Sequence, residues 1–226
     1  MFKNRSDKKE LLDGDNIPDN HLFQNLKELN TINRLLGGYN ITFNALKKVL
    51  KTNRAYVIVD IGSGGGDTLK QIYNWNKHYN LNLYGIDLKQ TCVNYSNTNN
   101  PVPGITFICD DYKNALNHIN KIDILHACLF CHHLNNQQII ELIQFCGNNK
   151  ITLIINDLER NPFAYYAIKI LTKLFSKSYL VKNDAPLSVL RGFKLKEWQH
   201  ILKQSGATNY SIKYKWAFRH EVIVYA

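Results

Sequence analysis

Val57-Ile58-Val59-Asp60-Ile61-Gly62-Ser63-Gly64-Gly65-Gly66-Asp67-Thr68-Leu69 is the stretch whose reading decides the fold. A β-branched apolar run reaches an acid, turns through a dense set of glycines and enters a segment with helical character. That order places a glycine turn at the end of a buried strand, the arrangement that lets backbone approach a nucleotide cofactor closely. Asp60 puts a carboxylate at the strand tip. A second acid, Asp87, closes the next strand-like run, Leu81 to Asp87, where a ribose diol would lie.

Working outward from this turn, strand-like and helix-like segments alternate, the pattern of a parallel sheet covered on both faces. Strands are expected at 55–60, 82–87, 105–109, 122–127 and 151–157, with helices near 66–78, 89–97, 112–119 and 136–146. Upstream, residues 1–19 read as a polar arm. Leu22, Leu26, Leu29, Ile32 and Leu36 then recur at helical spacing up to Gly37-Gly38, and Phe43, Leu46 and Leu50 suggest a second helix. Downstream, Asn161-Pro162 is a helix start, followed by a Pro- and Gly-bearing connector from Asn183 to Phe193. A helix near 195–204 comes next. Strands near 208–215 and 219–225 are joined too tightly for a crossover and should pair antiparallel. The expected fold is α/β: a Rossmann-like, doubly wound, seven-stranded, mostly parallel sheet with the last strand antiparallel, plus N-terminal helices and a helical insert after strand five. Residues 1–52 are read as the arm and helices forming part of an acceptor lid, and 53–226 as the core with a lid insert at about 160–193.

The 226 residues suffice for one large α/β domain. A hydrophobic share of 45% with 20% charged residues is ordinary for a globular chain. The net charge of +10 invites a nucleic-acid reading, but the lysines are scattered and form no dense basic block. Five cysteines, odd in number and irregular in spacing, suggest reduced thiols and a cytoplasmic setting rather than a disulfide framework. No apolar run is long enough to span a bilayer, and the charged N-terminus lacks a signal core.

A dinucleotide fingerprint fails here because Asp67 stands where its third glycine belongs. The loop is instead Asp-x-Gly-x-Gly-x-Gly, which resembles motif I of class I S-adenosylmethionine-dependent methyltransferases. Tyr84-Gly85-Ile86-Asp87-Leu88 is similar to the motif II strand. Ile105 to Tyr112 resembles the strand whose terminal acid contacts adenine, and Asp123 to Leu134 resembles the motif IV strand and loop of small-molecule members. The resemblance, of the small-molecule, UbiE-like type, covers residues 55–157 and implies S-adenosylmethionine as cofactor. It implies that Gly62, Gly64 and Gly66 line the methionine end and that Asp60 holds the amino group. Asp87 would accept both ribose hydroxyls. Asp111, with Asp110 as the next-register alternative, would accept the adenine amine. Leu88 and Tyr112 would sandwich the ring, and Ala127 and Cys128 would offer backbone groups. Local capping is the competing reading for Asp60, Asp87 and Asp111.

Methyl transfer needs alignment of a nucleophile and, for many acceptors, removal of a proton. His132 and His133 after the fourth strand and Asp157 at the end of the fifth are the candidates, with His133 and Asp157 taken as the catalytic pair; local packing and helix capping are their alternatives. Cys128-x-x-Cys131-His132-His133 mimics a metal cluster, but no second ligand pair stands at zinc-finger spacing, so no metal is expected. Asp184 and Arg191 fall in the connector, as lid residues or as a salt bridge holding that loop. Tyr39, Phe43, Phe163, Tyr165, Tyr166 and Phe193 are candidate aromatic walls. Leu11-Leu12-Asp13, Ile32 to Gly38 and Asn156 to Pro162 resemble bacterial methyltransferases of aromatic or polyketide-type products. The reading is therefore transfer of a methyl group to a small phenolic or polyketide-like acceptor, on oxygen before carbon. An RNA or DNA methyltransferase, or a non-catalytic cofactor-binding partner, is the alternative.

Overall fold

The computed structural model describes residues 1–14, 16–99 and 101–226. Its sheet has seven strands in the order β3-β2-β1-β4-β5-β7-β6. The strands are β1 (Ala55–Ile61), β2 (Asn80–Asp87), β3 (Ile105–Cys109), β4 (Ile124–Cys128), β5 (Thr152–Leu158), β6 (Tyr210–Lys215) and β7 (Arg219–Val224). The first five pair in parallel, and β7 lies antiparallel to both β5 and β6, with Asp157 opposite His220. Every expected strand is present, shifted by at most two residues at an end.

The helices are α1 (Asp19–Leu35), α2 (Gly38–Val49), α3 (Asp67–Trp75), α4 (Gln90–Asn99), α5 (Ala115–His118), α6 (Asn136–Asn148), α7 (Pro162–Phe175), α8 (Tyr179–Arg191) and α9 (Leu195–Ser205). Two apolar layers sandwich the sheet. One joins Ile139, Leu142 and Ile143 of α6 and Trp198 and Ile201 of α9 to strand residues such as Val59 and Leu153. The other joins Ala45 and Leu46 of α2 and Leu69 and Ile72 of α3 to Ile58, Ile124 and Ile154. Inward-facing residues on both sides explain why β1, β4 and β5 read as near-continuous apolar runs.

Two expectations are corrected. The segment 112–119 is a 3-10 turn at Tyr112–Asn114 followed by the short α5, because Asp111 caps the turn through Lys113 N–H. The connector 183–193 is mostly the second half of α8, despite Pro186 inside that helix. Pro186 withdraws one donor from the Lys182 carbonyl, and Lys182 is exposed, so water can replace it. Ser178 caps the helix start.

Strand order reverses between β1 and β4, since β1 connects outward to β2 and β3 before the chain returns to β4 on its other side. Open α/β sheets bind ligands in the crevice beyond the carboxyl ends at such a switch point.

Candidate active site

At that switch point lies a cavity of about 650 Å³, within the roughly 300–1,000 Å³ typical of small-molecule sites. Its floor is the glycine turn. Gly62, Gly64 and Gly66 all have positive φ, and a Cβ on Gly62 would come within 2.3 Å of the Phe130 ring. Only glycine therefore fits beneath Phe130. The turn is tied to β2 by Ser63 N–H on the Ile86 carbonyl (3.1 Å) and Gly64 N–H on Asp87 Oδ2 (2.8 Å).

Asp87 also accepts the Lys89 N–H at 2.9 Å, so it caps the turn before α4 while lining the cavity. Each carboxylate oxygen carries two lone pairs and spends one on a backbone amide, which leaves acceptor capacity toward the cavity. Burial raises the Asp87 pKa against the opposing effect of those two amides. Asp60 is buried and lines the cavity, but its Oδ1 meets His126 Nδ1 at 2.7 Å. His126 Nε2 in turn meets Thr42 Oγ1 at 3.1 Å, and Asn156 Nδ2 donates to the Gly38 carbonyl. This buried chain pins α2 to β1, β4 and β5.

At the next strand end, Leu88 is 72% exposed and, with Asp110, Asp111 and Tyr112, lines the cavity. Asp110 is engaged by His118 Nε2 (2.6 Å), Asn114 Nδ2 (2.9 Å) and Asp111 N–H. The His118 hydrogen bond, helped by Asn114, draws its pKa down to about 2. Asp110 thus serves its own turn, and Asp111 spends one oxygen on Lys113 N–H. Ala127 is fully buried in the core, whereas Cys128 faces the cavity. Burial pushes the Cys128 thiol up to about 12, so it is not a thiolate.

The opposite end of the cavity is built by segments far apart in sequence. His132 and His133 sit on a 3-10 turn after β4, with ring centroids 4.3 Å apart. His132 Nδ1 meets Asp157 Oδ1 at 2.7 Å, and its backbone N–H donates to Asp157 Oδ2. Asp157 is fully buried and does not face the cavity, so its expected direct contact with an acceptor is corrected: it acts on His132. It does not cap α7 either, a role taken by Asn161. His133 does line the cavity, and its Nδ1 meets Asp13 Oδ1 at 3.0 Å.

Asp13 and Glu10 come from the N-terminal arm, which docks across α8. Asp184 accepts the N–H groups of Leu11 and Leu12, rather than bridging to Arg191. Arg191 donates to the carbonyls of His132, His133 and Lys8. Arg5 lies over the Phe193 ring at 4.0 Å and donates to the Leu134 carbonyl. Glu10 is buried, accepts Ser188 Oγ–H at 2.8 Å, and burial pushes its pKa up to about 7. For Asp13 burial acts upward, but the His133 hydrogen bond and charge prevail and hold it at about 2.

Of the expected aromatic walls only Tyr39 lines the cavity. Phe43 stacks on Trp75, Phe193 packs on Trp198 in the core, and Phe163 and Tyr166 face solvent. Between α1 and α7 the walls are aliphatic, Leu26, Leu29 and Ile32 with Ala164, Ile168 and Leu171, while Trp216 and Phe218 between β6 and β7 add aromatic surface. Leu129, also at the cavity, holds φ +52°, a strained conformation for a branched residue, and donates its N–H to the Asn156 carbonyl. Glu10, Arg5, Phe130 and Leu129 had no local pattern to announce them.

Residues 58–149 match the family model described as a methyltransferase domain. No curated protein matches the chain. Among solved structures, the plantazolicin methyltransferase BpumL in complex with SAH (S-adenosylhomocysteine) aligns at 17% identity and TM-score 0.63, covering 92% of this chain and 95% of that one. A putative O-methyltransferase from Nostoc punctiforme aligns at 11% identity and TM-score 0.59, covering 91% and 60%. Magnesium protoporphyrin IX methyltransferase from Synechocystis, with bound SAH, aligns at 14% and 0.53, covering 85% and 84%. The chain has the class I methyltransferase fold, and the part of it from β1 to α6, which carries the glycine turn and the strand-end acids, matches the methyltransferase domain.

Proposed function

We propose that the protein is an S-adenosylmethionine-dependent methyltransferase acting on a small, largely apolar acceptor, phenolic or polyketide-like, at oxygen before carbon. One observation carries the reading: a single cavity runs from the glycine turn and Asp87 to the His132–His133 turn. The solved structures it resembles include methyltransferases with bound SAH. When bound, the cofactor supplies a methyl group on a sulfonium, open to in-line attack.

This chain's residues then do the positioning. Gly62 and Gly64 give the donor close backbone approach, with Asp60 and Cys128 at its methionine end; Gly66 shapes the turn against Phe107, and Ala127, buried in the core, takes no contact. Asp87 receives the ribose hydroxyls, a charge-assisted contact. Asp111, with one oxygen left over, meets the adenine amine, with Leu88 and Tyr112 on the ring faces. At the far end the acceptor oxygen lies against the two imidazoles, which can take its proton; Asp157 orients His132 and Asp13 orients His133. The aliphatic walls from α1 and α7 exclude water and suit an extended apolar skeleton. In this reading residues 1–52 and the insert at about 160–193 form the lid over a core of 53–226.

A small acceptor is favoured over RNA or DNA because the cavity is roofed by α1 and the arm and lined by aliphatic side chains. Among the described residues no helix is long and apolar enough to cross a membrane. All five cysteines are free, which suits a reducing compartment such as the cytoplasm.

Incubation with methyl-labelled cofactor and a panel of phenols, quinols and tRNA tests the reading: label should pass to a phenol or quinol. Transfer only to tRNA, or none alongside absent SAH binding, would overturn it. His133→Ala should lower turnover by about 10²-fold or more while SAH affinity holds. Because burial raises the Asp87 pKa, SAH affinity should begin to fall, as pH is lowered, above the ordinary aspartate range.

A further inference from the structure

We propose that Glu10, His132 and His133 form a divalent-metal site of the zinc type at the acceptor end of the cavity. One ligand atom from each, a ring nitrogen of each imidazole and a Glu10 carboxylate oxygen, lies within 4.8 Å of the others. His132 Nε2 stands 3.6 Å from Glu10 Oε1, and His133 Nε2 stands 3.9 Å from Glu10 Oε2. Both gaps exceed hydrogen-bond reach. They run to different oxygens of Glu10, so its carboxylate spans the two imidazoles, and the ligand atoms converge without bonding one another.

The surroundings fit a metal centre at the next level. Each histidine has its Nδ1 held by a separate carboxylate, Asp157 at 2.7 Å and Asp13 at 3.0 Å. A carboxylate on Nδ1 fixes the proton there and leaves the Nε2 lone pair free for a cation. The third ligand is also held, since Glu10 accepts Ser188 Oγ–H and its N–H donates to Asp13 Oδ2. His132 and Glu10 are buried, so the ligands are already organised.

Charge agrees. Glu10, Asp13, Asp157 and Asp184 supply four carboxylates in this cluster, against two guanidiniums from Arg5 and Arg191. The guanidiniums are largely spent on backbone carbonyls. With neutral imidazoles, and with Glu10 giving up its proton as it ligates, the cluster carries two negative charges in excess, which one divalent cation balances.

Two histidines and a glutamate are three protein ligands, and all three line the cavity, so the fourth position opens toward it. Three protein ligands with an open position is the pattern of a catalytic rather than a structural zinc site. The fourth ligand is an oxygen of the acceptor, which narrows the substrate class to phenols, enols or catechol-like molecules that can bind as oxyanions. With the ion in place both Nε2 atoms are committed, so the acceptor gives its proton to solvent water on binding as an oxyanion, and the ion takes the place against its oxygen that the imidazoles hold without it. Cys131, which the local sequence pairs with these histidines, takes no part, for its side chain is buried in the core.

The inference rests on the acceptor end assigned above, yet metal binding is read without methyl transfer. The full chain, stripped with a chelator and dialysed, is titrated with Co²⁺ and followed by its visible d–d absorption, then with Zn²⁺ in competition. One equivalent of Co²⁺ should bind with intensified d–d bands and no thiolate charge transfer, and Zn²⁺ should displace it. Glu10→Gln and His133→Ala should each weaken binding at least about a hundredfold, and Asp13→Asn about 10–100-fold. Circular dichroism and SAH affinity check that each variant is folded, and the isosteric Glu10→Gln carries the test if His133→Ala is not. No stoichiometric binding, thiolate bands, or unchanged affinity in folded Glu10→Gln would overturn the site. Loss of SAH binding with Co²⁺ binding intact would instead refute the methyltransferase reading.

Discussion

Asp87→Ala should weaken SAH binding by about a hundredfold or more, a loss of roughly 2.7 kcal/mol. Two charge-assisted hydrogen bonds to a ribose diol are each worth about 1.5–3 kcal/mol. Their sum exceeds the predicted loss, because water takes over part of the hydroxyls' bonding in the variant. A second effect adds to the first. Asp87 holds the amides of Gly64 and Lys89, so its removal frees the glycine turn from β2 as well as deleting the acceptor. Asp87→Asn weakens both contributions in part: its one oxygen keeps one of the two backbone amides while its NH2 faces the other, and it should cost about tenfold. Calorimetry with SAH reads both variants, and thermal melts report the loosened turn. Wild-type affinity in Asp87→Ala would remove the ribose assignment.

The residues that make this prediction were visible in the sequence because their chemistry is local. Gly62, Gly64 and Gly66 are needed for backbone reasons within one turn, and Asp87 ends a strand whose alternation is plain. The same holds for Asn161-Pro162, which starts α7 as expected. Local patterns also misled. Pro186 looked like a breaker, yet burial of Leu180, Val181 and Val189 and the cap at Ser178 outweigh one missing hydrogen bond. Asp157 looked like an acceptor-facing group because it ends a strand beside the pocket. The backbone turn at Leu129 brings His132 over it instead, so the carboxylate is consumed one step from the cavity.

What lay beyond reach was the acceptor end, for it is assembled by tertiary contacts. Glu10 and Asp13 reach His133 across 120 or more residues, and nothing in a polar, charged arm signals that it is docked. The doublet His132-His133 reads as a weak metal motif when only Cys128 and Cys131 are considered. It becomes three convergent ligands once the arm is laid across α8 by Asp184 and Arg191.

The arm's own anchor gives the second large effect. Arg160 is fully buried, and its five N–H donors have five acceptors. Nε donates to the Phe2 carbonyl, Nη1 to the Gly192 carbonyl and Glu197 Oε2, and Nη2 to the Lys3 carbonyl and Glu197 Oε1. The side chain therefore ties the start of the arm to α9 and to the end of α8. Arg160→Ala leaves three carbonyls and a carboxylate without their donor, and losing one partner of such a buried pair costs about 3–5 kcal/mol. Glu197 is partly exposed and can recover water, which places the expected loss of folding stability near the lower figure. Arg160→Lys should recover little, because a single ammonium cannot serve acceptors arranged for a planar fork. The arm should detach before the sheet unfolds, since the cost falls at its anchor while both apolar layers stay intact. Trypsin should then cut at Lys3, Arg5, Lys8 or Lys9 in the variant under conditions that spare the wild type. Residues 5–13 keep their own ties to Arg191, Asp184 and Ser188, so the loosened arm should lower turnover while SAH affinity holds. Equal protection of the arm in both proteins, or a parallel loss of SAH binding and turnover, would show that the arm is not what completes the acceptor site.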